Sequence, residues 1–206
     1  MSGPAAPAPL PVAVLLSGSG RTLENLLAKI RAGEVPVTVV AVVASRGDVR
    51  GVEVAGAAGL PCAVIRRRDH PDAGAHNAAI NAWLAPFAPR MIVLAGYLCH
   101  YQTPGWLDGP VLNIHPALLP RHGGRGMWGH HVHEAVLAAG ERESGCTVHR
   151  VSDVYDAGEI LGQQRVPVRP GDTPESLAAR VFAAECELYP RIIAAQARQL
   201  LDAPTR

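Results

Sequence analysis

The sequence has almost no excess charge of either sign: 19 basic residues stand against 18 acidic ones, a formal net charge of +1. No field therefore draws the chain to nucleic acid or to an anionic membrane surface. It lacks any apolar run near the ~18 residues that a membrane-spanning helix requires. The start, MSGPAAPAPLP, has neither a basic stretch nor a long apolar core, so it does not read as a signal peptide. Residues 1–11 read instead as a disordered Pro/Ala tail. Cysteine is sparse, and Cys62, Cys99, Cys146 and Cys186 include no C-x-x-C pair, which argues against a zinc site or a disulfide frame. They read as thiols in a reducing compartment, so the expected localisation is cytoplasmic. Internal repeats, low-complexity tracts and interdomain linkers are also missing. With 48% hydrophobic and 18% charged residues, positions 12–201 read as one globular domain.

What is present is a regular alternation of elements. Val12–Leu16 is a short apolar run bounded by SGSG and reads as a buried first strand. After Ser17–Thr22 come Leu23, Leu26, Leu27 and Ile30 at helical spacing, with Thr22 as the expected N-cap. Strand, glycine-rich turn and helix form a cradle in which backbone N–H groups and the helix N-terminus attract a phosphate. The dinucleotide fingerprint is incomplete, because Leu23 occupies the third glycine position and the second strand, Val37–Val43, runs into Ala-Ser-Arg. Arg46 is the one residue there suited to a 2′-phosphate. A small-residue helix over Gly51–Gly59, a strand over Pro61–Ile65, a helix from Asp72 to Leu84 and a strand over Met91–Ala95 follow. This order predicts a doubly wound, mostly parallel α/β sheet with right-handed crossovers.

The chemistry concentrates in VLNIHPALLP, Val111–Pro120. Asn113 and His115 lie two residues apart in a strand, so their side chains share a face, and Pro116 ends the strand. Polar groups at the carboxyl end of such a strand lie where open α/β sheets bind ligands. Tyr97–Tyr101 leaves the neighbouring strand, where apolar and aromatic side chains can wall a flat ring. The loop RHGGRGMWG, Arg121–Gly129, has the permissive backbone of a substrate-touching segment. His122, His130, His131 and His133 lack zinc-helix spacing and a supporting carboxylate or thiol pattern, so no metal is expected. Ser144–Val151 and Glu159–Val168 read as two further strands. The connector Ser152–Gly158 is either a plain turn or the source of a carboxylate, Asp156, that stabilises a charged imidazole. Thr173 and Pro174 open a long helix over Glu175–Leu201 that carries Glu185.

With these motifs in hand, the chain resembles the phosphoribosylglycinamide formyltransferases, folate-dependent enzymes of purine synthesis, over about residues 12–195. NIHPALLP, GCTVHRV with the D-x-x-D-x-G loop after it, PGDTPESLAARV leading to Tyr189-Pro190, and SGSGRTLENLL carry the resemblance. It implies a Rossmann-like formyltransferase fold with an antiparallel C-terminal strand pair and a long C-terminal helix. It implies a catalytic set of Asn113, His115 and Asp156, with His115 kept protonated by Asp156. Gly20, Arg21 and Thr22 would hold the ribonucleotide phosphate, with Glu185 near the glycinamide end. The folate would lie along Leu98, Cys99, His100 and Tyr101, beside Asn113, and against Ser152, Asp153, Val154, Tyr155 and Asp156. The co-substrate is 10-formyltetrahydrofolate, no metal takes part, and the Leu119–Pro120 bond is expected to be cis.

Cys99 and Ala73 stand where many relatives carry basic residues. Arg125 and the Arg66–Arg68 run are the candidates to supply the charge that a folate needs. A formyltetrahydrofolate hydrolase, a formyltransferase acting on another amine and a non-catalytic nucleotide-binding module are the competing readings. A methionyl-tRNA formyltransferase would need a further nucleic-acid-binding domain. Both monomer and homodimer are compatible with the sequence.

Overall fold

The computed structural model describes residues 8–203. Seven strands form one sheet: β1 (Leu10–Leu16), β2 (Val37–Ala44), β3 (Cys62–Val64), β4 (Met91–Leu94), β5 (Val111–His115), β6 (Glu143–Arg150) and β7 (Ile160–Pro167). Their spatial order is β3-β2-β1-β4-β5-β6-β7. The first five run parallel, whereas β6 is antiparallel to β5 and β7 is antiparallel to β6. The helices are α1 (Arg21–Arg31), α2 (Arg50–Ala57), α3 (Ala73–Leu84), α4 (His130–Ala138) and α5 (Pro174–Asp202). The mostly parallel sheet, the antiparallel strands at its end and the long last helix agree with the expected fold.

Alternation along β1 divides the core into two layers. Val12, Val14 and Leu16 pack with Leu23, Leu26, Leu177, Val181 and Ile193 on the face covered by α1 and α5. Ala13 and Leu15 pack with Ile80, Leu84 and Tyr101 on the face covered by α3. Burial on both faces explains why β1 reads as a continuous apolar run. The strand begins at Leu10, which is fully buried and pairs with Val37, two residues before the expected start. Pro11 is tolerated within it, although the Pro/Ala composition suggested a tail. Residues 1–7 of that expected tail lie outside the described residues.

α5 ties the layers together. Thr173 and Ser176 exchange side-chain-to-backbone hydrogen bonds in a capping box, with Pro174 in the first turn, as the sequence predicts. The buried Tyr189 hydroxyl lies 3.1 Å from the Leu94 carbonyl and 2.9 Å from the Leu112 carbonyl, so α5 is pinned where β4 and β5 deliver their loops. Pro190 has no N–H to offer the carbonyl of Cys186 one turn earlier. Asn25 Nδ2 from α1 donates to that carbonyl at 2.9 Å and replaces the missing bond.

Candidate active site

A cavity of about 930 Å³ opens at the carboxyl ends of β1, β4 and β5. The strand order reverses here, since β2 lies on one side of β1 and β4 on the other. That crevice is where open α/β sheets take ligands.

One end of the cavity is lined by Gly18, Ser19, Gly20, Arg21 and Thr22. Gly20, not Thr22, is the N-cap of α1: it adopts φ 74°, and Arg21 is already helical. A side chain at Gly20 would meet the Cα of Gly51 at 2.6 Å, so the turn needs glycine both for its dihedral and for its packing. Thr22 is inside the first turn, and the N–H groups at that end have no side-chain cap. Arg50, which sequence reasoning did not single out, fixes the turn by donating to the Ser19 carbonyl at 3.1 Å and to Glu24. The Arg21 guanidinium stacks 3.7 Å over the Phe182 ring, beside the half-buried Glu185 at the cavity wall. Burial pushes the Glu185 carboxyl up to about 7, with Arg21 pulling weakly the other way.

Asn113, His115, His149 and Asp156 meet in the middle. Antiparallel pairing sets Asn113 opposite His149 and His115 opposite Thr147, so all four side chains share one face. His149 Nδ1–H donates to the Arg150 carbonyl at 2.9 Å, which leaves Nε2 to accept from Asn113 Nδ2 at 3.0 Å. Asp156 has one oxygen 3.5 Å from His115 Nδ1 and the other 3.4 Å from His149 Nε2. The Asp156 backbone is left-handed, φ 54°, and a side chain at Gly158 would strike the Arg150 carbonyl at 1.7 Å. These two constraints explain the D-A-G portion of the connector, and the loop turns a carboxylate inward rather than merely reversing the chain.

Burial and the neighbouring groups act on this cluster in opposite directions. Burial dominates at His115 and lowers its pKa, although the Asp156 charge and the His122 carbonyl both raise it. Its Nε2–H donates to the His122 carbonyl at 2.7 Å, so the neutral ring has its lone pair on Nδ1, facing Asp156. Burial also raises Asp156, but the neighbouring His149 and His115 rings and the Gly124 N–H together hold it below its ordinary value. The two downward shifts both favour a neutral imidazole against a carboxylate. The loop after β5 is held from behind: Thr147 Oγ1 donates to the Ala117 carbonyl at 2.6 Å and accepts from Leu119 N–H at 3.0 Å. Gln163 Nε2 adds a bond to the Leu119 carbonyl at 2.8 Å. The Leu119–Pro120 peptide is cis.

The other end of the cavity is lined by Leu98, Cys99, His100, Tyr101, Ser152, Val154 and Tyr155. Tyr101 is buried and donates to Asn81 Oδ1 at 2.5 Å, whereas Leu98, Val154 and Tyr155 expose apolar surface at the rim. His100 Nε2 lies 3.1 Å from the Asp153 carbonyl, and its ring meets Tyr155 edge-on, which clasps the two loops together. The Asp153 side chain is outside the lining, so of the expected residues here it is the one that does not face the cavity. Burial raises the Cys99 thiol, which leaves it neutral and unsuited to replace a basic residue. Arg125 lines the cavity, whereas Arg66, Arg67 and Arg68 do not.

Among the described residues, no group of three or more His, Cys, Asp or Glu side chains is placed to hold a metal ion. His130 and His131 both reach Glu134 at 3.2 Å, and His122 reaches Glu141 at 3.4 Å. Arg46 pairs with Asp48 at 3.7 Å and is outside the lining. No helix of the described residues is long and apolar enough to cross a membrane.

Similarity to characterised proteins agrees with this geometry. A profile of the formyl transferase family matches residues 10–193. A phosphoribosylglycinamide formyltransferase from Haemophilus influenzae is 34% identical over 88% of this chain and 84% of its own length. A trifunctional purine biosynthetic protein from Bos taurus is 38% identical over 87% of this chain, which amounts to only 17% of the bovine protein. A solved glycinamide ribonucleotide transformylase from Symbiobacterium toebii superposes with a TM-score of 0.86 at 34% identity, covering 93% of this chain and 89% of the other. A phosphoribosylglycinamide formyltransferase structure from Brucella melitensis gives 0.79 at 36% identity, covering 96% and 98%. The chain belongs to the formyl transferase family, on its phosphoribosylglycinamide formyltransferase branch.

Proposed function

We propose that the protein transfers the formyl group of 10-formyltetrahydrofolate to the primary amine of 5′-phosphoribosylglycinamide. The observation that carries this reading is the junction of Asn113, His115 and Asp156 midway between a helix N-terminus with free N–H groups and an apolar, aromatic slot. A phosphate is suited to the first end and a flat ring to the second, which leaves a one-carbon unit and an amine in the middle.

In this reading Gly20, Arg21 and Thr22 bind the phosphate, and Glu185 contacts the ribonucleotide beyond it. Leu98–Tyr101 and Ser152–Tyr155 enclose the folate. The amine nitrogen attacks the formyl carbon, and negative charge gathers on the formyl oxygen. Asn113 Nδ2–H, already aimed by its contact with His149, is the donor to that oxygen. Asp156 and the free Nδ1 of His115 take up the proton that the attacking amine loses, directly or through water. The imidazolium so formed is stabilised by Asp156, and it returns the proton to the folate nitrogen as the tetrahedral adduct collapses. His115 is thus base first and acid second, which suits a ring that rests neutral. The reading places the protein in the cytoplasm, consistent with four cysteines that are all free.

The test is to mix the protein with 10-formyl-5,8-dideazafolate and follow absorbance with and without the ribonucleotide. Turnover only when the amine is present is the expected result. Turnover that ignores the amine would mark a hydrolase, and none at all would mark a binding module.

A further inference from the structure

We propose that Glu141, just beyond the C-terminal end of α4, is a positioning residue that orients His115 through the turn Arg121–Gly124. This inference rests on the functional reading above and extends it to a residue outside the substrate cavity.

The turn touches both halves of the proton-handling pair. The His122 carbonyl accepts from His115 Nε2 at 2.7 Å, and the Gly124 N–H donates to Asp156 Oδ2 at 2.9 Å. These contacts decide which ring nitrogen of His115 carries the resting proton and where the carboxylate stands. The turn has backbone bonds of its own only at its edges, from Arg121 N–H to the Leu118 carbonyl at 3.2 Å and from Met127 N–H to the Gly124 carbonyl at 3.0 Å. His122 has φ 53°, a left-handed conformation that a side-chain-bearing residue adopts only at a cost. Its neighbours are three glycines out of four from Gly123 to Gly126, whose backbone freedom offers no restraint.

Glu141 supplies the restraint from behind. One of its carboxylate oxygens lies 3.4 Å from His122 Nε2, and the other accepts from Arg121 Nη1 at 3.1 Å. A single carboxylate therefore holds two successive side chains of the turn, with three quarters of its own surface shielded from water. A separate cavity of about 510 Å³ lies on this side, lined in part by Arg121, His122, Glu141 and Ser144. Without Glu141 there is room for the turn to swing away from His115. The hydrogen bond to the His122 carbonyl would then lengthen, and it is one of the influences that favour the charged form of His115.

The experiment compares the full chain with Glu141→Ala, Glu141→Gln and His122→Phe by NMR titration of the His115 ring and by steady-state kinetics with both substrates saturating in turn. In Glu141→Ala the His115 titration is expected to move to lower pH by roughly half a unit. Its kcat should fall about tenfold while both KM values stay within about twofold, the signature of an effect on the chemical step. Glu141→Gln keeps an acceptor oxygen and should recover most of kcat. His122→Phe keeps a ring but loses the contact, and should behave like Glu141→Ala. An unmoved His115 titration in folded Glu141→Ala and His122→Phe would overturn the proposal. The titration needs no turnover, so failure of the positioning role is distinguishable from failure of the formyl-transfer reading, in which the parent protein itself is inactive.

Discussion

His115 Nε2 is bonded to the His122 carbonyl before any substrate arrives, and Nδ1 faces Asp156 at 3.5 Å. Asp156 raises the pKa of that ring against the burial that lowers it. Asp156→Asn removes the raising influence, so the acid limb of the kcat profile should shift to lower pH while kcat drops by about 10²–10³. A pH–rate series on both proteins measures this, and an acid limb moving upward would contradict the assignment. Asn113→Ala should cost about 10²–10³ in kcat, the size of effect when one oxyanion donor is lost, with substrate KM little changed. Glu185 gives a prediction about stability. Its carboxyl is raised from 4.5 to about 7 in the fold, so between those values the native state holds a proton that the unfolded chain releases. Native stability therefore declines as pH rises through this window. Glu185→Gln should match the parent in Tm near pH 4. At pH 8 it should gain about 1–2 kcal/mol after allowance for solvent on the cavity side, or ~2–6 °C in Tm.

The elements show how far the sequence could be read and why it stopped. Apolar runs and their periodicity locate β1, β2, β4, β5 and the long α5, because burial on both sheet faces and a strong N-terminal box leave plain marks. Thr22 was a reasonable cap by residue type, but the left-handed Gly20 starts α1 two residues earlier than the hydroxyl rule suggests. His149 was visible in GCTVHRV yet carried no role, because its place depends on the direction in which β6 pairs with β5. Only the antiparallel register puts it opposite Asn113, and a strand's own residues do not name the partner residue each will face. Arg50, Glu141 and Asn25 escaped for a related reason: each serves a backbone group or side chain far away in sequence. Asn25 is the testable case, since the Cys186 carbonyl has lost its helical donor to Pro190. Asn25→Ala should destabilise the fold by about 1–3 kcal/mol, seen as a lower midpoint in urea with an unchanged slope. Little change would mean that water readily serves that carbonyl.

For the molecule as a whole, one sheet sets an uncapped helix N-terminus and an apolar, aromatic slot at two ends of one cavity. The glycine-rich turn follows β1, the aromatic slot follows β4, Asn113 and His115 stand at the end of β5, and β6 and β7 brace the loop that follows His115. The aromatic slot has a rim that is apolar at Leu98, Val154 and Tyr155, and neither Cys99 nor Ala73 offers a charge there. Of the cationic candidates, the Arg66–Arg68 run does not line the cavity: Arg66 and Arg68 lie near Asp69, and Arg67 donates to the His70 carbonyl at 2.8 Å while its charge still reaches Cys99. Arg125 does line the cavity, and it is near enough to Tyr155 to oppose the rise that burial imposes on that hydroxyl. A cation at an exposed rim contributes mainly to capture of a negatively charged ligand, and little to chemistry at a distance. Arg125→Ala is therefore expected to raise the KM for the folate by about five- to tenfold, ~1–1.4 kcal/mol, with kcat and the ribonucleotide KM within about twofold. The folate effect should shrink at high salt, because screening weakens an exposed cation in the parent and leaves the alanine variant unaffected. Equal increases in both KM values would instead mean that Arg125 shapes the glycine-rich loop as a body, and the charge for the folate would have to come from another part of the rim.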